Sequence, residues 1–311
     1  MTSVSAPFAD TGSIQQTRAG MLALVEQRLR HLLAPQQAHR SGTGPRPAFT
    51  ADGGERLRPV FCVSGFLAAG GNPGDPVAVD TCAALELLHL SARFPDDPAS
   101  AHADRLATRL PAAARTVWNE LRTEPVTGRH PDNPAAAESA PAPAPATAPA
   151  PAPAPALSRQ PAVHEPGPRT IHRPLVLGAL LAGRPEVAPA FENYGLALDE
   201  AFQLRDDLID VFGPTPEDTG RPPGLRRGPA LLLALAAEHS PRTGALLARN
   251  GHSDAALLRR LLDESNTKAT AERRIAGLVD RACAALATPA LDQPWRQEFS
   301  RLATRLAYRS R

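Results

Sequence analysis

Between Met21 and Leu33 the apolar residues Met21, Leu22, Leu24, Val25, Leu29, Leu32 and Leu33 recur at helical spacing, with Glu26, Arg28 and Arg30 turned toward water. This pattern predicts an amphipathic helix that Pro35 ends, followed by a Gly/Pro/Ser-rich loop over 34–53. Residues 1–17, rich in Ser, Thr, Ala and Gly, read as disordered. Two further helices are predicted over Leu57–Ala69 and Val77–Phe94, split by the turn Gly70-Gly71-Asn72-Pro73-Gly74. The second is apolar nearly all round, as suits the centre of a bundle. Pro111–Arg122 is amphipathic again. The second half of the chain reads as helices over Leu175–Ala182, Val187–Phe212, Leu225–His239, Gly244–Ala248, Ser253–Asp263 and Thr270–Ala287, with a last one from Trp295 to Tyr308. No segment alternates with period two, so the pattern predicts an all-α helical bundle.

The alternation of Ala and Pro over Pro141–Ala156 removes every second backbone donor and forbids helix and sheet. It predicts an extended polyproline-II spacer, read as an inert linker, with a docking tail for a partner as the other reading. The chain is therefore expected to have a disordered start over 1–17, one part of a bundle over 18–133 and a linker over 134–168. The rest of the same bundle would span 169–311.

Composition narrows the class further. Hydrophobic residues are 42% of the 311, but aromatics only 4%, which argues against a β-sandwich and for a core of Leu, Ala and Val. A net charge of +2 gives no reason to expect nucleic acid or an anionic membrane as partner. Lys268 is the only lysine beside many arginines, so an Arg in place of Lys is a mild change in this chain. Cys62, Cys82 and Cys283 show no metal-ligand spacing and read as reduced thiols. The N-terminus lacks a signal-like pattern and no apolar run is long enough to span a bilayer, so a cytoplasmic location is expected.

The segment Ala201-Phe202-Gln203-Leu204-Arg205-Asp206-Asp207-Leu208-Ile209-Asp210 carries the chemistry. Asp206 and Asp210 fall one turn apart on one face of a helix, where two carboxylates repel unless a cation lies between them. Hard oxygen ligands with open positions suit Mg²⁺ bridging to a diphosphate. The alternative is an acidic patch on a solvated face. Tyr194, Leu196, Leu198, Phe202, Leu204, Leu208, Val211 and Phe212 make the helix too apolar for that, so the acids are expected to line a cavity.

This segment, followed by Val211-Phe212-Gly213 and Thr219-Gly220-Arg221-Pro222, resembles the second aspartate-rich motif of the trans-isoprenyl (polyprenyl) diphosphate synthases. Other pieces resemble the same family in the same order. Gly54-Glu55-Arg56-Leu57-Arg58-Pro59 is similar to its Gly-Lys-x-x-Arg-Pro motif, and Glu86-Leu87-Leu88-His89-Leu90-Ser91 to the helix leading to the first aspartate motif, here Asp96-Asp97. Trp118–Glu124 resembles the helix before the family's Gly-Gln-x-x-Asp. Arg169-Thr170 with Arg173-Pro174-Leu175 resembles its Lys-Thr helix. The resemblance implies an isoprenoid-synthase-type bundle in which Mg²⁺ is held by Asp96, Asp97, Asp206, Asp207 and Asp210. Arg58, His89, Thr170, Gln203 and Arg221 would bind substrate. The implied reaction is condensation of isopentenyl diphosphate with an allylic diphosphate, in a cytoplasmic homodimer or a heterodimer with a relative.

The chain departs from that pattern at several places. Glu55 stands for a lysine and would repel a diphosphate. The first aspartate motif lacks its third acid and is flanked by Pro95 and Pro98. Arg129 replaces a Gln and Pro229 a Lys. Asp97 to Trp118 is short, so a central helix is expected to be shortened or missing, and the Ala/Pro insertion falls where the family has helix. Three readings therefore stay open: a synthase with reduced activity or none, a non-catalytic relative acting as a regulatory or partner subunit, and a terpene cyclase-like enzyme.

Overall fold

The computed structural model describes residues 10–38, 56–93, 99–123, 170–213, 229–250 and 255–309. These form twelve α-helices and, among the described residues, no strand. In chain order they are α1 (Thr11–Ala38), α2 (Leu57–Ala68), α3 (Pro76–Arg93), α4 (Ala99–Ala107), α5 (Ala112–Thr123) and α6 (His172–Leu181). A 3₁₀ turn at Pro185–Val187 leads into α7 (Ala188–Phe212). Then come α8 (Ala230–His239), α9 (Pro241–Asn250), α10 (Ala255–Glu264), α11 (Thr267–Ala285) and α12 (Gln293–Ala307). The expected linker over 134–168 lies outside the described residues.

The all-α reading holds, with corrections at particular elements. The helix expected from Met21 begins at Thr11, so the expected disorder of 1–17 fails over its last part. Local and distant contacts explain the early start. Asp10 Oδ1 accepts the Ser13 N–H at 2.8 Å and so caps the first turn. Ile14 is fully buried. Gln15 Nε2 donates to Glu298 Oε2 at 2.9 Å, and Arg18 meets Glu298 Oε1 at 2.8 Å. The same helix continues through Pro35 to Ala38, where the sequence pattern predicted an end. Between Asp97 and Trp118 the short helix α4 appears, which periodicity did not predict; it packs on α3.

The layers that matter for function are α2, α6, α7 and α11, packed successively against one another. Tyr194, Phe191 and Trp295 surround Phe299 with ring centroids 5.3 to 5.9 Å apart, and the Tyr194 hydroxyl donates to the Phe299 carbonyl at 2.8 Å. This cluster joins α7 to α12. Cys62 and Cys82 meet in the core as free thiols, and their hydrogen bond, together with burial, pushes the Cys82 thiol well up.

Two glycines set the crossing of α2 and α6. A Cβ on Gly65 would lie 2.4 Å from the Leu175 carbonyl oxygen, and one on Gly178 would lie 2.3 Å from that of Cys62. The backbones touch, and neither oxygen can move without breaking its helix. Gly178→Ala should therefore destabilise the fold by about 1–3 kcal/mol through overpacking, although alanine is the better helix former by about 1 kcal/mol. A urea titration in which this variant matched or exceeded the parent would contradict so close a crossing.

Candidate functional site

At about 100° per residue, Asp199, Gln203, Asp206 and Asp210 fall within about 60° of one another around α7. They form one polar stripe on a helix whose other sides carry buried Tyr194, Leu198, Leu204, Leu208 and Val211. The stripe runs from the start of α6 to the C-terminal end of α7.

At its first end, Asp199 caps α6 from outside. The N–H groups of Thr170 and Ile171 donate to Asp199 Oδ1 at 3.1 and 2.9 Å. That of His172 donates to Oδ2 at 3.1 Å. His172 Nδ1 lies at the same distance from Oδ2, while its Nε2 is buried with no hydrogen-bond partner. A helix start leaves several N–H groups without intrahelical acceptors, and a carboxylate also suits the positive end of the helix dipole. The cap thereby fixes Thr170, whose hydroxyl receives Arg58 Nη2 from α2 at 3.5 Å. On α3, Glu86 is held above the usual carboxylate range by burial, an effect that the Arg58 and Arg56 guanidinium groups oppose and the Glu26 carboxylate reinforces. Arg56 in turn pairs with Glu26 at 2.7 Å. His89 stands one turn beyond Glu86 on α3. Arg58, Thr170 and the Glu86–His89 turn of α3 thus form one partly buried polar corner.

At the other end the three acids of the motif separate. Asp207 Oδ2 accepts the Leu232 N–H at 2.9 Å, capping α8 much as Asp199 caps α6. Burial raises its pKa to about 6, helped by the charges of Asp210 and Asp206 and opposed by the N–H groups of Leu232 and Leu231. Asp206 accepts from Arg309 Nη2. Asp210 is exposed. Against the expectation that all three line one cavity, Asp207 turns to α8 while Asp206 and Asp210 reach solvent. Among the described residues no three His, Cys, Asp or Glu side chains converge on one point. A separate cleft of about 160 Å³ between Phe66, Val77, Arg109 and Leu181 contains none of the candidate residues.

No family model matches the chain. Solved structures do. A geranylgeranyl pyrophosphate synthase from Corynebacterium glutamicum, complexed with calcium and isoprenyl diphosphate, aligns with a TM-score of 0.66 at 20% identity, covering 98% of this chain and 99% of the other. The enzyme of the same name from Pyrococcus horikoshii aligns with a TM-score of 0.64 at 17% identity, covering 96% and 99%. A polyprenyl synthase from Caulobacter crescentus, also with calcium and isoprenyl diphosphate, gives 0.57 at 20% identity, covering 96% of each. The chain has the isoprenyl diphosphate synthase fold.

On this fold, Arg58, His89, Thr170, Gln203, Asp206, Asp207 and Asp210 are described, while Asp96, Asp97 and Arg221 lie outside the described residues. The donor chemistry of the stripe suits a hard divalent cation: Asp206 and Asp210 are carboxylates one turn apart, both reachable from solvent. Asp207 accepts the Leu232 N–H. Two functional residues escape a reading of the sequence. Asp199 stands beside Glu200 in an otherwise apolar stretch of the helix, and the hint of its role is that it sits four residues before Gln203 on the same face. Arg309 has no motif around it. Leu196, counted in the sequence as part of a buried helix, is 44% exposed.

Proposed function

We propose that the chain binds isoprenyl diphosphates with Mg²⁺ and condenses isopentenyl diphosphate with an allylic diphosphate. The observation that carries this is the polar stripe of α7, which places two solvent-reaching carboxylates on the same helix face as the cap that fixes Thr170 beside Arg58. Asp199 and Asp206 are seven residues apart, about 10 Å along the helix. A cationic corner and an acidic pair at that spacing suit two diphosphate groups, one bound by Arg58, Thr170 and His89, the other through Mg²⁺ on Asp206 and Asp210. Asp96, Asp97 and Arg221 would complete the second group's surroundings, and Gln203 stands between the two. When bound, Mg²⁺ would neutralise the charge that develops on a departing diphosphate. The same reading has the protein work in the cytoplasm, as a homodimer or with a relative; among the described residues no helix is long and apolar enough to cross a membrane.

A second reading, a diphosphate-binding relative without turnover, is favoured by the commitment of Asp207 to α8 and of Asp206 to Arg309. Incubation with both substrates and Mg²⁺, followed by extraction of prenyl products, separates the two. Binding itself is checked by melting temperature. Mg²⁺ with inorganic pyrophosphate should stabilise the protein by about 2–4 kcal/mol at a hundred to a thousand times the dissociation constant, and Asp206→Ala should abolish the shift. No shift in the parent protein at millimolar ligand would remove the basis for either reading.

A further inference from the structure

The segment that ends α12 lies against α7 beside Asp206 and is held there by two arginines. Arg205 Nε donates to the Ala307 carbonyl at 2.6 Å. Its two terminal nitrogens fork onto the Glu272 carboxylate of α11, and its guanidinium carbon lies 5.8 Å from the centre of the Tyr308 ring. These contacts bring residues 307 and 308 against α7. Arg309 follows. Its guanidinium carbon stacks 3.8 Å from the centre of the Phe202 ring while Nη2 donates to Asp206 Oδ1. Phe202 and Asp206 are one turn apart, so the flat guanidinium spans both at once. The side chain of Arg309 is only 14% exposed, against 48% for Asp206.

We infer that Arg309 is the resident counter-cation of Asp206 and makes this site select a cation–diphosphate complex over a bare divalent cation. The inference rests on the metal role proposed above for Asp206 and Asp210. A bare cation arriving at Asp206 must displace a guanidinium that is already tethered, stacked and paired, and that competes at the high effective concentration of an intramolecular group. It also leaves that guanidinium without an anion. A cation that arrives with a diphosphate brings anionic oxygens of its own. The released guanidinium can transfer to them, and its planar fork of donors matches them better than a single carboxylate oxygen. The cost of displacement is thus offset for the complex and not for the ion alone.

The test compares the full-length protein with Arg309→Ala and Arg309→Lys by isothermal titration calorimetry, using MgCl₂ alone and MgCl₂ in the presence of inorganic pyrophosphate. The readout is the ratio of Mg²⁺ affinities with and without pyrophosphate. It should be at least tenfold larger in the parent than in Arg309→Ala, chiefly because the variant gains affinity for bare Mg²⁺. Arg309→Lys, which keeps the charge but loses the planar stack, should fall between; it also carries the test if the alanine variant does not fold. Equal ratios in all three proteins overturn the role of Arg309 while leaving the diphosphate site standing. If neither probe binds to any of the three, the metal role of Asp206 and Asp210 fails, and this inference with it.

Discussion

Asp199→Ala should destabilise the protein by about 3–5 kcal/mol. One buried carboxylate accepts three backbone N–H groups, from Thr170, Ile171 and His172, at 2.9 to 3.1 Å. Alanine offers none of them an acceptor, and at 6% exposure of the parent residue there is little room for water to replace it. Each buried donor left without a partner costs about 1–3 kcal/mol, and loss of an ordinary N-cap about 0.5–2 kcal/mol. Relaxation at the start of α6 recovers part of the sum. Asp199→Asn keeps one carbonyl oxygen and should lose roughly half as much. Chemical denaturation at neutral pH measures both variants. A loss in Asp199→Ala below about 1 kcal/mol would mean that the α6 start is satisfied without α7.

Asp207→Asn should have the opposite sign near neutral pH. In the folded protein this carboxyl titrates near pH 6, above its ordinary value of 3.8, because burial and the neighbouring charges of Asp210 and Asp206 outweigh its two N–H partners. The folded state therefore holds the proton more tightly than the unfolded chain, and the unfolded state binds fewer protons between the two values. Stability falls as pH rises from about 4 to about 6 and levels off beyond. A shift of about two units corresponds to about 3 kcal/mol, an upper figure for a group that keeps some contact with solvent. Asparagine resembles the protonated acid, keeps an acceptor for Leu232 and carries no charge. The variant should be more stable than the parent at pH 7 by up to that amount, and its stability should be flat between pH 4 and 6 apart from other groups. Parallel curves for parent and variant across that window would show that Asp207 is not the group responsible.

What the sequence discloses and what it hides divide along physical lines. Helix α7 is legible because its apolar positions keep one period over seven turns, and the observed span, Ala188–Phe212, starts one residue from the predicted one. The acids on it are legible as acids. Their separate tasks are not, because Asp207 is drawn to the N-terminus of α8 and Asp206 to Arg309, both distant in sequence. The true start of α1 is hidden for the same reason: its first turns carry few apolar residues, and part of what holds them is Glu298. Short α4 has no long period to reveal it. The cap by Asp199 is tertiary, so capping rules applied to the residues ahead of α6 cannot find it.

The Glu298 contacts have a consequence for how the protein is made. Gln15 and its partner lie 283 residues apart, which is nearly the whole chain. A ribosome delivers α1 long before α12, so α1 waits for 283 residues of synthesis before its partner exists. Over that time its apolar side, with Ile14, Met21, Val25 and Leu29, has only the other early helices to cover it. The start of α6 likewise waits 27 to 29 residues for Asp199. Closure of this bundle is thus a late event, and the nascent N-terminal half is the stage at which a chaperone or an unwanted neighbour would find it open.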